Sequence, residues 1–228
     1  MLGLGNSITG GAALSAFNIN DLSPKLWLAF NTGQGTITDG IQWDDQSGNG
    51  SHASQTIDAQ EGDGFSGGAF VCDAGSTDNL DFAVTFNMTG AYHVFMVLNL
   101  AEESNETFLS SVDNASFMRF AQGGTATAFK MKNGGTTVNI TLSEGFGTTK
   151  AIAEVTRDSS DNIRVLKNGA SLGSGNGSGT FAVEQIGSSS NGLTSAEIHE
   201  VVIFDQALSS ANATLVRNDI ANRTSISI

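Results

Sequence analysis

Residues 150–173, KAIAEVTRDSSDNIRVLKNGASLG, decide the fold. Lys150–Arg157 and Asn162–Leu166 read as two strands, and Asp158-Ser159-Ser160-Asp161 joins them as a polar turn. Asn168-Gly169 follows, a strong short hairpin signal, because both central positions of a type I′ turn need positive φ. Ala170–Gly173 then pairs back, so this stretch is an antiparallel meander.

The same grammar extends outward in both directions. Leu80, Phe82, Val84 and Phe86 alternate with Asp81, Ala83 and Thr85, a strand with one wet face. Tyr92–Leu100 is apolar on both faces and predicts a central strand. Phe117–Phe120 and Ala126–Lys132 form a hairpin around Gly123-Gly124, and Val138, Ile140 and Leu142 alternate after Asn133-Gly134-Gly135. Ser174–Thr180 reads as a polar glycine loop, and Phe181–Gly187 and Ile198–Phe204 close the series. One helix is expected, capped by Ser209 or Ser210, with Leu208, Ala211, Leu215 and Ile220 at near-helical spacing. About a dozen strands and one late helix predict an all-β, two-sheet antiparallel jelly-roll sandwich. Its expected core holds Trp27, Phe30, Trp43, Phe82, Val84, Val94, Met96, Leu98, Ile140, Val155, Val165, Ile203 and Phe204. Residues 1–22 are Gly, Ala, Ser and scattered apolar residues without a period, read as an extended N-terminal arm; residues 23–228 form the jelly-roll domain.

Composition narrows the function. The 228 residues carry 10 basic and 23 acidic side chains, a net charge of −13. Phosphate backbones are gripped by Lys and Arg, so nucleic acid is excluded as a partner, and an anionic membrane surface is disfavoured. Gly is abundant (28) and Pro single, which suits tight turns between strands. The lone Cys72 permits no internal disulfide and reads as a small buried hydrophobe. The apolar N-terminus lacks a basic n-region, so no cleaved signal peptide is expected. The Asn-x-Ser/Thr sequons at Asn49, Asn87, Asn105, Asn114, Asn139, Asn176, Asn212 and Asn222 read as by-products of composition.

Three segments carry a family resemblance. IQWDDQSGNGSHASQ (41–55) resembles an early stretch of concanavalin A-like, laminin-G-like (LamG) jelly-roll domains. RVLKNGASLG (164–173) resembles that family's middle hairpin, and EIHEVVIFDQALS (197–209) its closing strand and helix entry. The three occur in the family's order and bracket residues 24–223. The resemblance implies a concanavalin A-like sandwich and little about function, because such folds host lectins, glycanases, adhesion modules and virion proteins.

The chemistry legible in the residues is sparse. Glu197 and Glu200, three apart, are expected on opposite strand faces, which disfavours the paired carboxylates of a glycosidase. Gly64-Phe65-Ser66-Gly67-Gly68 matches a nucleophile-elbow pattern but follows a polar loop and precedes a strand. Gly48–Ala53 fits a dinucleotide pattern without the strand and helix that pattern needs. Calcium stays open: Asp44 and Asp45 are candidate ligands, and Asp45–Gly50 begins like an EF-hand loop, but Thr56 stands where the bidentate Glu belongs. The bland reading is that one of these aspartates holds the turn by hydrogen bonds to amides ahead of it, with Gly48 and Gly50 at positive φ. Trp43 and Asn49 are candidate glycan contacts, although Trp27, Trp43 and Tyr92 each also fit a core.

These readings favour a non-enzymatic protein. The acidic, glycine-rich chain with an apolar arm suggests a structural virion protein of a bacteriophage, a head decoration or a fibre or tail module. Its opening residues resemble the starts of structural proteins in marine phages. That reading places it in the virion, assembled in the host cytoplasm, bound to other virion proteins through the arm and forming a trimer or a lattice-bound set of copies. No cofactor is required. A carbohydrate-binding, lectin-like module is the alternative, discriminated by an exposed aromatic patch; a glycoside hydrolase ranks below both.

Overall fold

The computed structural model of the chain describes residues 17–73, 78–101, 104–187 and 195–228. Two antiparallel sheets face each other. The first has the order β15 (Ala170–Asn176), β14 (Asn162–Lys167), β13 (Ala151–Arg157), β8 (Tyr92–Leu100), β17 (Ala196–Phe204), β6 (Ala69–Cys72) and β5 (Gly64–Ser66). β1 (Leu26–Leu28) shares β17's outer edge with β6. The second runs β12 (Thr136–Thr141), β11 (Ala128–Asn133), β10 (Phe117–Phe120), β9 (Glu106–Ser110), β16 (Phe181–Gly187), β7 (Asn79–Met88), β4 (Ala53–Gln55), β3 (Gly40–Trp43) and β2 (Gln34–Ile37). This is the two-sheet jelly-roll sandwich expected from the alternation, with one C-terminal helix, α1 (Ser210–Thr224). Among the described residues no helix is long and apolar enough to cross a membrane.

The inner faces bury one continuous core that includes Trp43, Phe82, Val94, Met96, Leu98, Val155, Val165 and Ile203. β8 is buried on both faces because α1 covers its back. Phe95, Val97, Ile152, Val202 and Phe204 turn outward from the first sheet into a second cluster with Ala213, Val216 and Ile220 of α1. Burial therefore falls on Ala213, Val216 and Ile220, whereas Leu215, expected on the buried stripe, is 44% exposed. Ser209 caps α1 by accepting the Asn212 N–H.

Three further expectations are corrected. Val84 is 49% exposed, because β7 bulges opposite β16: Val183 pairs with Phe86 and Gln185 with Asp81, so extra residues loop out and the alternation breaks. The loop expected from Ser174 begins later, since β15 continues to Asn176. Gly173, Gly175 and Gly177 face the second sheet there; a Cβ on Gly177 would lie 2.1 Å from Val138 Cγ2, so glycine lets the two sheets close at this edge. Finally, residues 17–22 are not an extended arm. A 3-10 turn over Ile19–Leu22 buries Ile19 fully against the α1 cluster. Residues 1–16, the remainder of the expected arm, lie outside the described residues.

Candidate functional site

The residues singled out in the sequence lie at the end of β3 and in the turn that follows it. Trp43 is fully buried, and its Nε1 donates to the carbonyls of Ala29 and Thr32 at 3.1 Å, so it has no face for a sugar ring. Asp45 is the turn-holder: Oδ1 accepts the Trp27 and Ser47 N–H groups at 3.0 and 2.9 Å, and Oδ2 accepts Ser47 Oγ–H and the Ser51 N–H at 2.8 and 3.0 Å. Four donors occupy the oxygens a cation would need. Asp44 lies apart from that cluster, accepting from Gln42 Nε2 and facing His52 Nδ1. Asn49 donates to the Pro24 and Lys25 carbonyls and ties the turn to the residues that lead into β1. Among the described residues no three His, Cys, Asp or Glu side chains converge on a metal position.

The two glutamates of β17 behave differently from the expectation. Between Ile198 and Glu200 the register with β8 slips by one residue. This bulge leaves His199 extra, so Glu197 and Glu200 share the outward face instead of opposing ones. They still form no open pair. Glu200 is fully buried, accepting from Trp27 Nε1 at 2.9 Å and Arg223 Nη2 at 2.5 Å, and burial holds its carboxyl above the usual range against those partners. Glu197 is tied to Asn99 and His199.

No aromatic platform replaces them. All fourteen Phe, both Trp and the single Tyr are among the described residues, and none is exposed. Trp27 lies under the Arg223 guanidinium and Tyr92 under that of Arg157.

The concave site lies elsewhere, where α1 leaves the sheet. A cleft of about 410 Å³ opens between the first half of α1 and the outward faces of β13 and β14. Glu154, Thr156, Asn162, Arg164 and Leu166 form its floor, and Leu208, Ser210, Thr214 and Arg217 its wall. At its base Arg217 forks onto Glu154, Nε to Oε1 at 2.5 Å and Nη2 to Oε2 at 3.1 Å. His93 Nε2 lies 3.4 Å from Glu154 Oε2, and its ring stacks on Phe95 with centroids 4.3 Å apart. Burial alone would raise the Glu154 carboxyl, but the hydrogen bonds from His93 and Arg217 outweigh it and hold it below the ordinary range. His93 is buried too, yet its Nδ1 has no hydrogen-bond partner among the described residues.

The Asn168-Gly169 turn builds this base. Both residues have positive φ, and a Cβ on Gly169 would stand 2.8 Å from Arg217 Nε and Cζ. The glycine that closes the hairpin also leaves the passage through which Arg217 reaches Glu154. Sequence reading missed the trio. Its signal was a charged residue, Glu154, inside the apolar run Ala151–Val155, and a histidine inside the apolar run of β8. Both are buried charges or polar groups that must find partners.

No protein-family model matches the chain, and no curated protein does. Solved structures share its fold. The binding domain of botulinum neurotoxin DC in complex with SialylT superposes with a TM-score of 0.58 at 13% identity, over 89% of this chain and 52% of that one. The binding domain of Paraclostridial Mosquitocidal Protein 1 gives 0.58 at 13%, over 90% and 54%. The botulinum neurotoxin DC binding domain in complex with rat synaptotagmin II gives 0.58 at 15%, over 89% and 52%. The chain spans about half the length of these structures, and at such identities the likeness is one of fold.

Proposed function

We propose that the chain is a non-enzymatic carbohydrate-binding module and that its ligand occupies the cleft between α1 and β13–β14. The observation that carries this reading is the cleft itself: a concave surface lined by hydroxyls, an amide, the Arg164 and Arg217 guanidiniums and the Glu154 and Asp158 carboxylates, with Leu166 and Leu208 as small apolar contacts. Small-molecule sites have this build, a preformed hollow with a few convergent polar groups. Its volume suits one or two sugar rings. The fold neighbours are binding domains, one in complex with SialylT, and another structure concerns cell entry through two ganglioside molecules, which supports the glycan class. The exposed aromatic patch expected of a lectin-like module is absent among the described residues, so this reading departs from that expectation and rests recognition on hydrogen bonds and charge and not on ring stacking. The non-catalytic reading is supported by Glu197 and Glu200, each engaged by neighbours, Glu200 out of reach of a substrate.

The virion role expected from composition gives way as the main proposal, since the fold neighbours named above are toxin binding domains. A glycan array tests the reading. Wild-type protein should retain at least one glycan, and Thr214→Trp, an exposed helix position that would fill the cleft, should release it with the melting temperature unchanged. Retention by no glycan, or undiminished binding by Thr214→Trp, would refute it.

A further inference from the structure

The cleft does not end at β14. Arg164 also lines a shallower, more open depression of about 750 Å³, formed with Asp158, Asn162, Ser171, Ser174 and Asn176. Ser174 stands opposite Arg164 in the β14–β15 register, and Asn176 opposite Asn162. The two hollows therefore make one groove across the outward face of β13, β14 and β15, with Arg164 at the junction. The inward glycines of β15 and its outward Ser and Asn are the same alternation, used on one face to close the sandwich and on the other to line the groove.

The charges along this groove are not equivalent. Glu154 is neutralised by the Arg217 fork. The Asp158 carboxylate keeps its negative charge but is oriented onto Asn162 Nδ2 and the backbone N–H groups of Asn162 and Ser160, which hold its pKa below the usual range. Arg157 points the other way, fully buried, and donates to the carbonyls of Gly90, Gly179 and Met88. The Arg164 residue is exposed, and its side chain has neither an ion pair nor a hydrogen bond among the described residues. An unpaired guanidinium is unexpected in a chain with 23 acids and 10 bases, where carboxylates outnumber cations more than two to one. The first turn of α1 faces the same hollow through Ser210 and Ala213, adding the positive end of the helix.

We propose that this groove binds an acidic oligosaccharide, with Arg164 holding the carboxylate or sulfate group of a sugar residue at the junction of the two hollows. A guanidinium presents a planar fork that matches either anion with two parallel hydrogen bonds, and it carries its charge at every accessible pH. The inference rests on the glycan-binding reading and adds the ligand's charge and its register on the sheet.

Titration calorimetry separates the two. The probes are an oligogalacturonate, a sulfated galacto-oligosaccharide and an uncharged galacto-oligosaccharide of equal length. Wild-type protein should bind at least one of the acidic probes more tightly than the uncharged one, the stronger acidic probe telling carboxylate from sulfate. Arg164→Gln should weaken that acidic probe tenfold or more, by a larger factor than the uncharged probe, and flatten its salt dependence. Lys25→Gln, which removes one positive charge at the Asp205 pair away from the groove, should keep wild-type affinity. If the uncharged probe binds as well as the acidic ones, or Arg164→Gln binds the acidic probe like wild type, this inference falls and the glycan-binding reading stands. If no probe binds and the glycan array is also blank, both fall.

Discussion

Asp45 and Asp44 are adjacent, chemically identical and structurally unalike. Asp45 is buried and accepts four hydrogen bonds from three different residues; the Asp44 side chain is 46% exposed and, among the described residues, faces Gln42 and His52. Asp45→Ala should lower stability by about 2–3 kcal/mol, because it strands buried donors that were charge-assisted. Asp44→Ala should cost under about 1 kcal/mol, the range of an exposed pair. Urea unfolding of the two variants checks the contrast, and equal losses would contradict it. The sequence offered both aspartates as turn-holders or cation ligands, and that much was legible from Asp-x-Ser-Gly spacing. Which of the two turns inward was not, because it depends on Trp27 arriving from β1, eighteen residues earlier. Trp43 shows the same limit from the other side: its place in an alternating strand was visible, its complete enclosure was not.

At the scale of elements, hairpins and the helix were legible because their signals are local. The positive φ of Asn168 and Gly169 and the Ser209 cap are carried by one or two residues each. Bulges were not, since a bulge is visible only against the partner strand. Those in β7 and β17 moved Val84 to the surface and Glu197 and Glu200 onto one face. The Asn168-Gly169 hairpin is also where fold and cleft meet. Gly169→Ala should destabilise by about 1–2 kcal/mol through its left-handed backbone alone, with more from displacing Arg217. Ser209→Ala, which removes only the cap, should cost about 1 kcal/mol and leave the Arg217–Glu154 fork in place. Thermal melts of the pair, with ligand affinity as second readout, distinguish them: Gly169→Ala should lose both stability and binding, Ser209→Ala stability alone.

At the scale of the molecule, burial of the ion-paired base ties stability to pH. The Glu154 carboxyl titrates lower folded than unfolded, so its contribution is complete above the unfolded value of about 4.3 and disappears as pH falls through the lower folded one. Glu154→Gln, which leaves Arg217 unpaired, should therefore cost about 3 kcal/mol near neutral pH and progressively less below pH ~4. Glu200, raised by burial, has the opposite sign and adds stability on protonation, so a wild-type profile alone would blend the two. Guanidinium unfolding of wild type and Glu154→Gln across pH 3–7 separates them; a difference independent of pH would contradict the assignment.

Ligand should bind the outward groove beneath α1 and leave the Trp43–Asn49 turn untouched. Amide chemical-shift mapping of isotopically labelled protein, titrated with the tightest-binding oligosaccharide, tests it most directly. Shifts should concentrate on Thr156, Asn162, Arg164, Ser174, Ser210 and Thr214, with Asp45–Gly50 unmoved. Shifts centred on residues 43–50, or on the outward face of the second sheet, would contradict it.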